Sequence, residues 1–299
     1  MTLFRREYRL SIGTPGSEEG RVISELNIKF NIVRTSDSEN NKCSIEVFNL
    51  SSETRAVLET SSDGTNNPII IFQAQYAEDV SNDGSIRGFQ TLFTGQVVNS
   101  FTTKNGVDLV TLIEAQDGYL PLREGITCRN FPAGVTRREV LNALIQDLGV
   151  AVGEIRDGGS LSEVYSNGVT IEGPIRIAID KLLRYNNIEW SIQDDAFFAV
   201  RKDLASRESV LDLNVTSGLI GSPQSKKGRG SRVTGQENEA DAGLTVQSLL
   251  APSILPNRRI RVTSNEFPDG ATFKVTKVTH EGEYRSNNWM TTAELLEFV

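Results

Sequence analysis

The chain is poor in the residues that most enzymes depend on: one histidine, two cysteines and two tryptophans in 299 residues. Each shortage removes a class of function. A Ser–His–Asp or Cys–His relay would have to pass through His280. That residue stands in Thr279-His280-Glu281-Gly282, near an expected strand end, and no G-x-S-x-G elbow occurs to supply a nucleophile. One imidazole and two distant thiols do not make up the three or four ligands of a zinc site. Cys43 and Cys128 form no C-x-x-C pair, so both read as reduced core thiols rather than a disulfide framework. Apolar runs such as Ile69 to Phe72 fall far short of the ~20 residues that span a bilayer. Met1 to Glu7 holds no apolar signal core. The expectation is a chain made and folded in the cytosol, with no membrane anchoring. Positive charge is also in deficit, 31 Lys and Arg against 39 Asp and Glu, which argues against a reader of nucleic acid.

What the sequence does have is alternation. Tyr8, Leu10 and Ile12, then Leu26, Ile28, Phe30 and Ile32, alternate with polar residues as half-buried strands do. Cys43, Ile45 and Val47 mark a return strand, and Ser51 and Ser52 open a short helix to about Thr60. Ile70, Phe72, Ala74 and Tyr76 share one strand face, and Glu78 to Gly88 reads as a loop. Asn105-Gly106 is a hairpin signal because both central positions of a two-residue turn want positive φ. It separates strands over Leu92–Thr103 and Val107–Gln116. Antiparallel connections of this kind suit a small barrel or sandwich.

The period changes after Gln116. Thr136-Arg137-Arg138-Glu139 is a capping box, Leu141, Leu144, Ile145 and Leu148 follow at helical spacing, and Gly149 closes the helix. Gly173-Pro174 opens a second helix with Ile175, Ile179, Leu182 and Leu183 as its buried stripe. Ile188–Gln193 and Ala196–Arg201 make a hairpin around Asp194-Asp195. From Glu208 the β pattern returns, with strands over Leu244–Leu250, Arg258–Thr263, Ala271–Thr279 and Trp289–Phe298. Ser222 to Gly235 reads as the mobile loop.

Candidate chemistry is weighed against plainer readings. Asp194-Asp195 could be the carboxylate pair of a glycoside hydrolase, but adjacent strand residues point apart and a turn explains both. Asn82-Asp83-Gly84 and Asp157-Gly158-Gly159 lack the spaced ligands of a calcium loop and read as turns. Lys226, Lys227, Arg229 and Arg232 form a basic cluster without interleaved aromatics. Arg258, Arg259 and Arg261 form a second, of a kind common at protein interfaces. The expectation is no catalytic, cofactor-binding or metal-binding residue.

The last block holds Ser217-Gly218-Leu219-Ile220-Gly221-Ser222-Pro223, then Val246-Gln247-Ser248-Leu249-Leu250-Ala251-Pro252, then Phe273 to Gly282 followed by Trp289, and the first block holds Asn41 to Ser51 with its short helix. In order and phrasing these stretches resemble bacteriophage tail baseplate hub proteins. The resemblance implies a mainly β chain in which two small β-barrel domains of tail-tube or hub type, 1–117 and 207–299, flank an α+β domain, 118–206. It implies a homotrimer whose six barrels match a hexameric tail tube or tube initiator above and hold a threefold spike below. Baseplate wedge proteins are further neighbours, and the genome passes through an acidic lumen unbound. The expectation is a structural, non-enzymatic virion protein made in the host bacterial cytoplasm. The alternatives are a tail-associated cell-wall hydrolase and a carbohydrate-binding adhesion module; for the second, 2 Trp and 6 Tyr are thin raw material.

Overall fold

A computed structural model describes residues 5–15, 20–58, 67–76, 88–226 and 243–297. Most of Glu78 to Gly88, most of Ser222 to Gly235 and residue Thr60 lie outside the described residues. The protein is mainly β, with few helices.

The first block holds β1 (Arg6–Gly13), β2 (Gly20–Ile23), β3 (Ile28–Thr35), β4 (Lys42–Phe48), β5 (Ile69–Tyr76), β6 (Gln90–Asn105) and β7 (Asp108–Gln116). The short α1 (Ser52–Val57) has Ser51 accepting from the Thr54 N–H as its cap. Alternate residues fill the core: Ile28, Phe30 and Ile32 face Val47, Ile45 and Cys43 across β3–β4. The β6–β7 turn is shifted one residue from the expected one. Asn105 pairs with Asp108, so Gly106 and Val107 form the tip. Of these only Gly106 has positive φ, +62°, the II′ requirement of glycine at the first central position. Val107, expected to start the strand, is 95% exposed.

The middle segment holds α2 (Tyr119–Glu124), β8 (Ile126–Phe131), α3 (Arg137–Leu148), β9 (Ala151–Arg156), β10 (Val169–Pro174), α4 (Ile175–Arg184), β11 (Ile188–Gln193) and β12 (Ala196–Arg201). The capping box at Thr136 and the left-handed Gly149 are both formed. Pro174 is the cap of α4 rather than its first turn. Among the described residues β8 pairs only with β10, while β12 lies between β11 and a parallel β9. The two helices share a core with Trp190 and Phe197, whose rings stack at 5.4 Å. Cys128, expected in a core, is exposed; Cys43 is buried.

The last segment holds β13 (Leu211–Leu213), β14 (Leu219–Lys226), β15 (Gly243–Leu249), β16 (Arg259–Val262), β17 (Ala271–Glu283) and β18 (Trp289–Leu296). Ser222 to Lys226, expected in a loop, is strand. Its core is made by Val246, Ile260, Phe273, Val275, Val278 and Leu295, among others.

The first and last blocks are joined by hydrogen bonds. β17 pairs antiparallel with β3 from Lys277↔Thr35 to Glu283↔Lys29. The path therefore runs β14-β15-β18-β17-β3-β4-β7-β6-β5-β1-β2 without a break. Trp289 of β18 reaches into the first core, 5.0 Å and edge-on to Phe30. Burying an indole is worth about 5 kcal/mol of gross transfer free energy. Gly282 makes that approach possible, since a Cβ there would sit 2.7 Å from the Trp289 ring and 2.8 Å from Phe30.

Candidate functional site

Many of the polar side chains that reach across segments gather at the β11–β12 hairpin, where all three segments meet. Arg34, near the end of β3, is 1% exposed. Its Nη2 donates to Asp194 Oδ2 at 2.7 Å, its Nε to Gln193 Oε1 at 3.0 Å and its Nη1 to the Leu92 carbonyl at 3.2 Å. The hairpin tip has positive φ at both Asp194 (+50°) and Asp195 (+63°). This is the primed turn that matches strand twist, and aspartate tolerates it better than bulkier residues. The tip turns both backbone N–H groups onto the Asp117 carboxylate, at 2.6 Å from Asp194 and 3.2 Å from Asp195. Asn41 donates to the Ile192 carbonyl at 2.8 Å and to Gln193 Oε1 at 2.9 Å. The Thr94 N–H donates to Asp194 Oδ1 at 3.2 Å.

A second contact lies along the same hairpin. Glu189 of β11 accepts from Ser36 Oγ at 3.1 Å. It also pairs with Lys202 at 3.8 Å and with Lys274 of β17 at 3.9 Å. Lys274 is 1% exposed, and burial holds its ammonium below the usual lysine range. The hairpin is thus bonded to the first block through Arg34, Asn41 and Ser36, and to the last through Lys274. A buried charge left without its partner is strongly penalised, so each of these contacts sets position as well as energy.

Burial pushes the Asp117 carboxyl up to about 7, with the neighbouring Asp194 charge adding to it while the two turn amides and Arg34 oppose it. Asp195 is also raised, by burial and then by Asp194. A raised carboxyl beside other carboxylates is a signature of acid–base chemistry. Here, however, Asp117 is 1% exposed and both its oxygens accept from turn amides, while Asp194 is held by Arg34 and Thr94. The arrangement is suited to holding a hairpin. Asp194-Asp195 is a turn, as its sequence suggests, with a clamping role that nothing local announces.

His280 lies within β17 rather than at a strand end and is fully buried. Its Nδ1 is 2.8 Å from Thr291 Oγ1. Burial, with the Arg34 charge nearby, pushes it down to about 3, so the ring is neutral. Asp157 pairs with Arg138 at 2.6 Å and accepts from the Leu161 N–H at 2.9 Å, which fixes its turn. Arg258, Arg259 and Arg261 donate to the carbonyls of Ser253, Glu208 and Asp269, which ties them to loops of their own segment. Lys227, Arg229 and Arg232 lie outside the described residues. Among the described residues no group of three or more His, Cys, Asp or Glu could hold a metal ion, and no helix is long and apolar enough to cross a membrane.

The sequence profile of the family described as Baseplate hub gp41 matches residues 10–294. The chain belongs to this family. It is accordingly a structural protein of the tail baseplate type. No curated protein matches the sequence. Among solved structures, a tail protein from Neisseria meningitidis MC58 is 11% identical with a TM-score of 0.63, covering 97% of this chain and 96% of that one. The 43 kDa tail protein of prophage MuSo2 from Shewanella oneidensis is 8% identical with a TM-score of 0.64, covering 97% and 100%. The E. coli c3393 protein, described as a type VI secretion component similar to the T4 tail proteins gp27 and gp5, is 12% identical with a TM-score of 0.57, covering 96% and 77%. At these identities the likeness is one of fold. The hub protein keeps nearly the whole length of the two tail proteins.

Proposed function

We propose that this hub protein forms a homotrimer at the tip of the tail tube, each copy contributing two β blocks so that three copies build a six-part ring. The ring adapts a hexameric tube or tube initiator above to a threefold spike below, and the genome passes through it. Within each copy the division is 1–117, 118–206 and 207–299, two barrel-type domains with an α+β domain between. The observation that carries this reading is the β3–β17 pairing, which locks two blocks side by side as one wall. Head-to-tail contact of one copy's first block with the next copy's last block would close the ring.

The outward row of that wall supports a conduit. Away from the cores, Lys29 and Asn31 of β3 neighbour Glu46 and Ser44 of β4 and Glu283 and Glu281 of β17. Glu114 and Glu294 extend the row, while Lys42 and Lys277 are its other cations. Carboxylates outnumber ammonium groups on this face, and excess negative charge repels phosphate and keeps a passing nucleic acid from sticking. The test is the mass of the purified protein in solution, alone and mixed with a candidate spike protein. The expected result is three times the 32.9 kDa chain mass, alone or with the spike. A folded monomer that assembles with neither tube nor spike would overturn the reading.

A further inference from the structure

The first and last blocks repeat one strand order. The first runs β3-β4-β7-β6-β5-β1 and the last β14-β15-β18-β17-β16-β13, each strand hydrogen-bonded to the next. The hairpins β6–β7 and β17–β18 match in detail. Each has a register shift at the same place, between Val97 and Asn99 opposite Ala115 and Glu114, and between Val275 and Lys277 opposite Leu295 and Glu294. Counted from there, Thr102 of β6 corresponds to His280 of β17, and Thr111 of β7 to Thr291 of β18. Both pairs are hydrogen-bonded across their hairpins, Thr102 Oγ1 to Thr111 Oγ1 at 3.0 Å and His280 Nδ1 to Thr291 Oγ1 at 2.8 Å. The pairings of β4 and β15 carry the match outward, so that Asn31 and Ile32 of β3 correspond to Gln224 and Ser225 of β14.

The repeat is broken along two edges. β16 pairs with β17 only as far as Lys274, and β3 covers the remainder from Lys277 to Glu283. β5 likewise stops at Gln96 of β6, but among the described residues nothing pairs with that edge of Asn99 to Asn105. Val278 and His280 are buried under this cover, whereas the corresponding Ser100 is half-buried and Thr102 exposed. β14 is bare in the complementary way. Among the described residues it pairs only with β15, and Ser225 is exposed where the corresponding Ile32 is buried. Such edges take up a further strand. Each of these two lacks the partner that its counterpart has, and the missing partner is the other. Edges such as β2 have no counterpart in the other block whose pairing could be repeated.

We propose that β6 of one copy pairs antiparallel with β14 of a second copy, Thr103 opposite Gln224 and Thr102 opposite Ser225, repeating between chains the joint that β17 and β3 make within one. The proposal rests on the three-copy reading above and adds the strands and the register that close the ring. Joints between copies then alternate with joints inside them. The facing residues are uncharged, and their hydroxyl and amide groups suit hydrogen bonds across the seam. Pro223, which has no N–H to give, falls in the irregular stretch between Ile220 and Gln224 rather than at these pairs.

The test is disulfide trapping in the full chain carrying Cys128→Ser, which leaves the buried Cys43 as its native thiol. Thr103→Cys and Gln224→Cys are placed on separate chains, mixed, and oxidised with copper phenanthroline in whichever preparation, with or without the candidate spike, has the trimer mass. Non-reducing gels should show a covalent dimer from the mixture and a covalent trimer when both cysteines are on one chain. Thr103→Cys with Ser225→Cys, one residue out of register and so on opposite faces, should cross-link about ten-fold less. Both positions are exposed, so unchanged melting temperatures serve as the control for folding. A trimer by mass that gives no 103–224 cross-link, or gives the shifted one equally, would overturn the joint and leave the ring standing. A cross-link formed only within single chains would do the same. If no preparation has the trimer mass, the ring and this joint fall together.

Discussion

Replacing Asp117 by asparagine isolates one buried carboxyl and gives a signature in pH. Its folded value of about 7 stands above the ordinary 3.8. A group raised in the folded state favours folding fully only below its unfolded value, and that contribution is lost as pH rises through the folded one. The interval corresponds to about 4 kcal/mol, at 1.36 kcal/mol per pH unit. Asp117 is almost fully buried, so solvent screening takes little from that figure. The charged and polar groups facing it are Arg34 from β3, Asn41 from the loop before β4, and Asp194 and Asp195 from the hairpin tip. All of them remain in Asp117→Asn. Asparagine keeps one acceptor oxygen for the turn amides and loses the other, a penalty of about 1–3 kcal/mol that does not vary with pH. Carboxyls held low elsewhere, such as Asp147 beside Arg129 and Asp203 beside Arg201, lose stability as pH falls below the usual range, and do so equally in both proteins. The assay is urea unfolding of the full chain at half-unit steps from pH 4.5 to 8. The difference in unfolding free energy, wild type minus variant, should fall by about 1.4 kcal/mol per pH unit through the acid range and level off above pH 7. Parallel curves across the whole range would refute the assignment of a neutral Asp117 below pH 7.

Arg34→Met should cost about 1–3 kcal/mol in the same unfolding assay, because it leaves the buried Gln193 amide oxygen and Leu92 carbonyl without their donor, while Asp194, 36% exposed, can turn to water. Thr136→Ala should cost about 1 kcal/mol by removing the α3 cap, seen as a lower urea midpoint with an unchanged slope.

Local patterns announced most of the elements. The bounds of β11 and β12 and both ends of α3 follow from a two-residue turn, a capping box and a left-handed glycine, each a physical signal within a few residues. The β6–β7 turn slipped by one because Asn-Gly fits a primed turn of either register, and the pairing of Asn105 with Asp108 decides it. β8 and β10 gave little warning. Their burial alternates mostly between intermediate and exposed, and the one buried position, Thr127, is polar, so composition marks no inward face. The junction was not legible at all. Arg34 reads as a polar position after Ile32, and only the approach of a hairpin some 160 residues on makes it a buried donor. His280 falls just past the expected strand Ala271–Thr279, whereas the strand runs on to Glu283 and Gly282 within it is an indole's seat.

The pairing of β3 with β17 also governs the order in which the molecule can be made. The two strands are separated by some 240 residues of chain, and closing so large a loop is entropically slow. Until the ribosome has delivered Ala271 to Glu283, one side of β3 has nothing beside it, and the seat beneath Trp289 stays vacant. A polypeptide cut short before that point would carry a sticky border able to recruit other strands. Synthesis through β17 is therefore a checkpoint: the wall exists only in chains translated past Glu283.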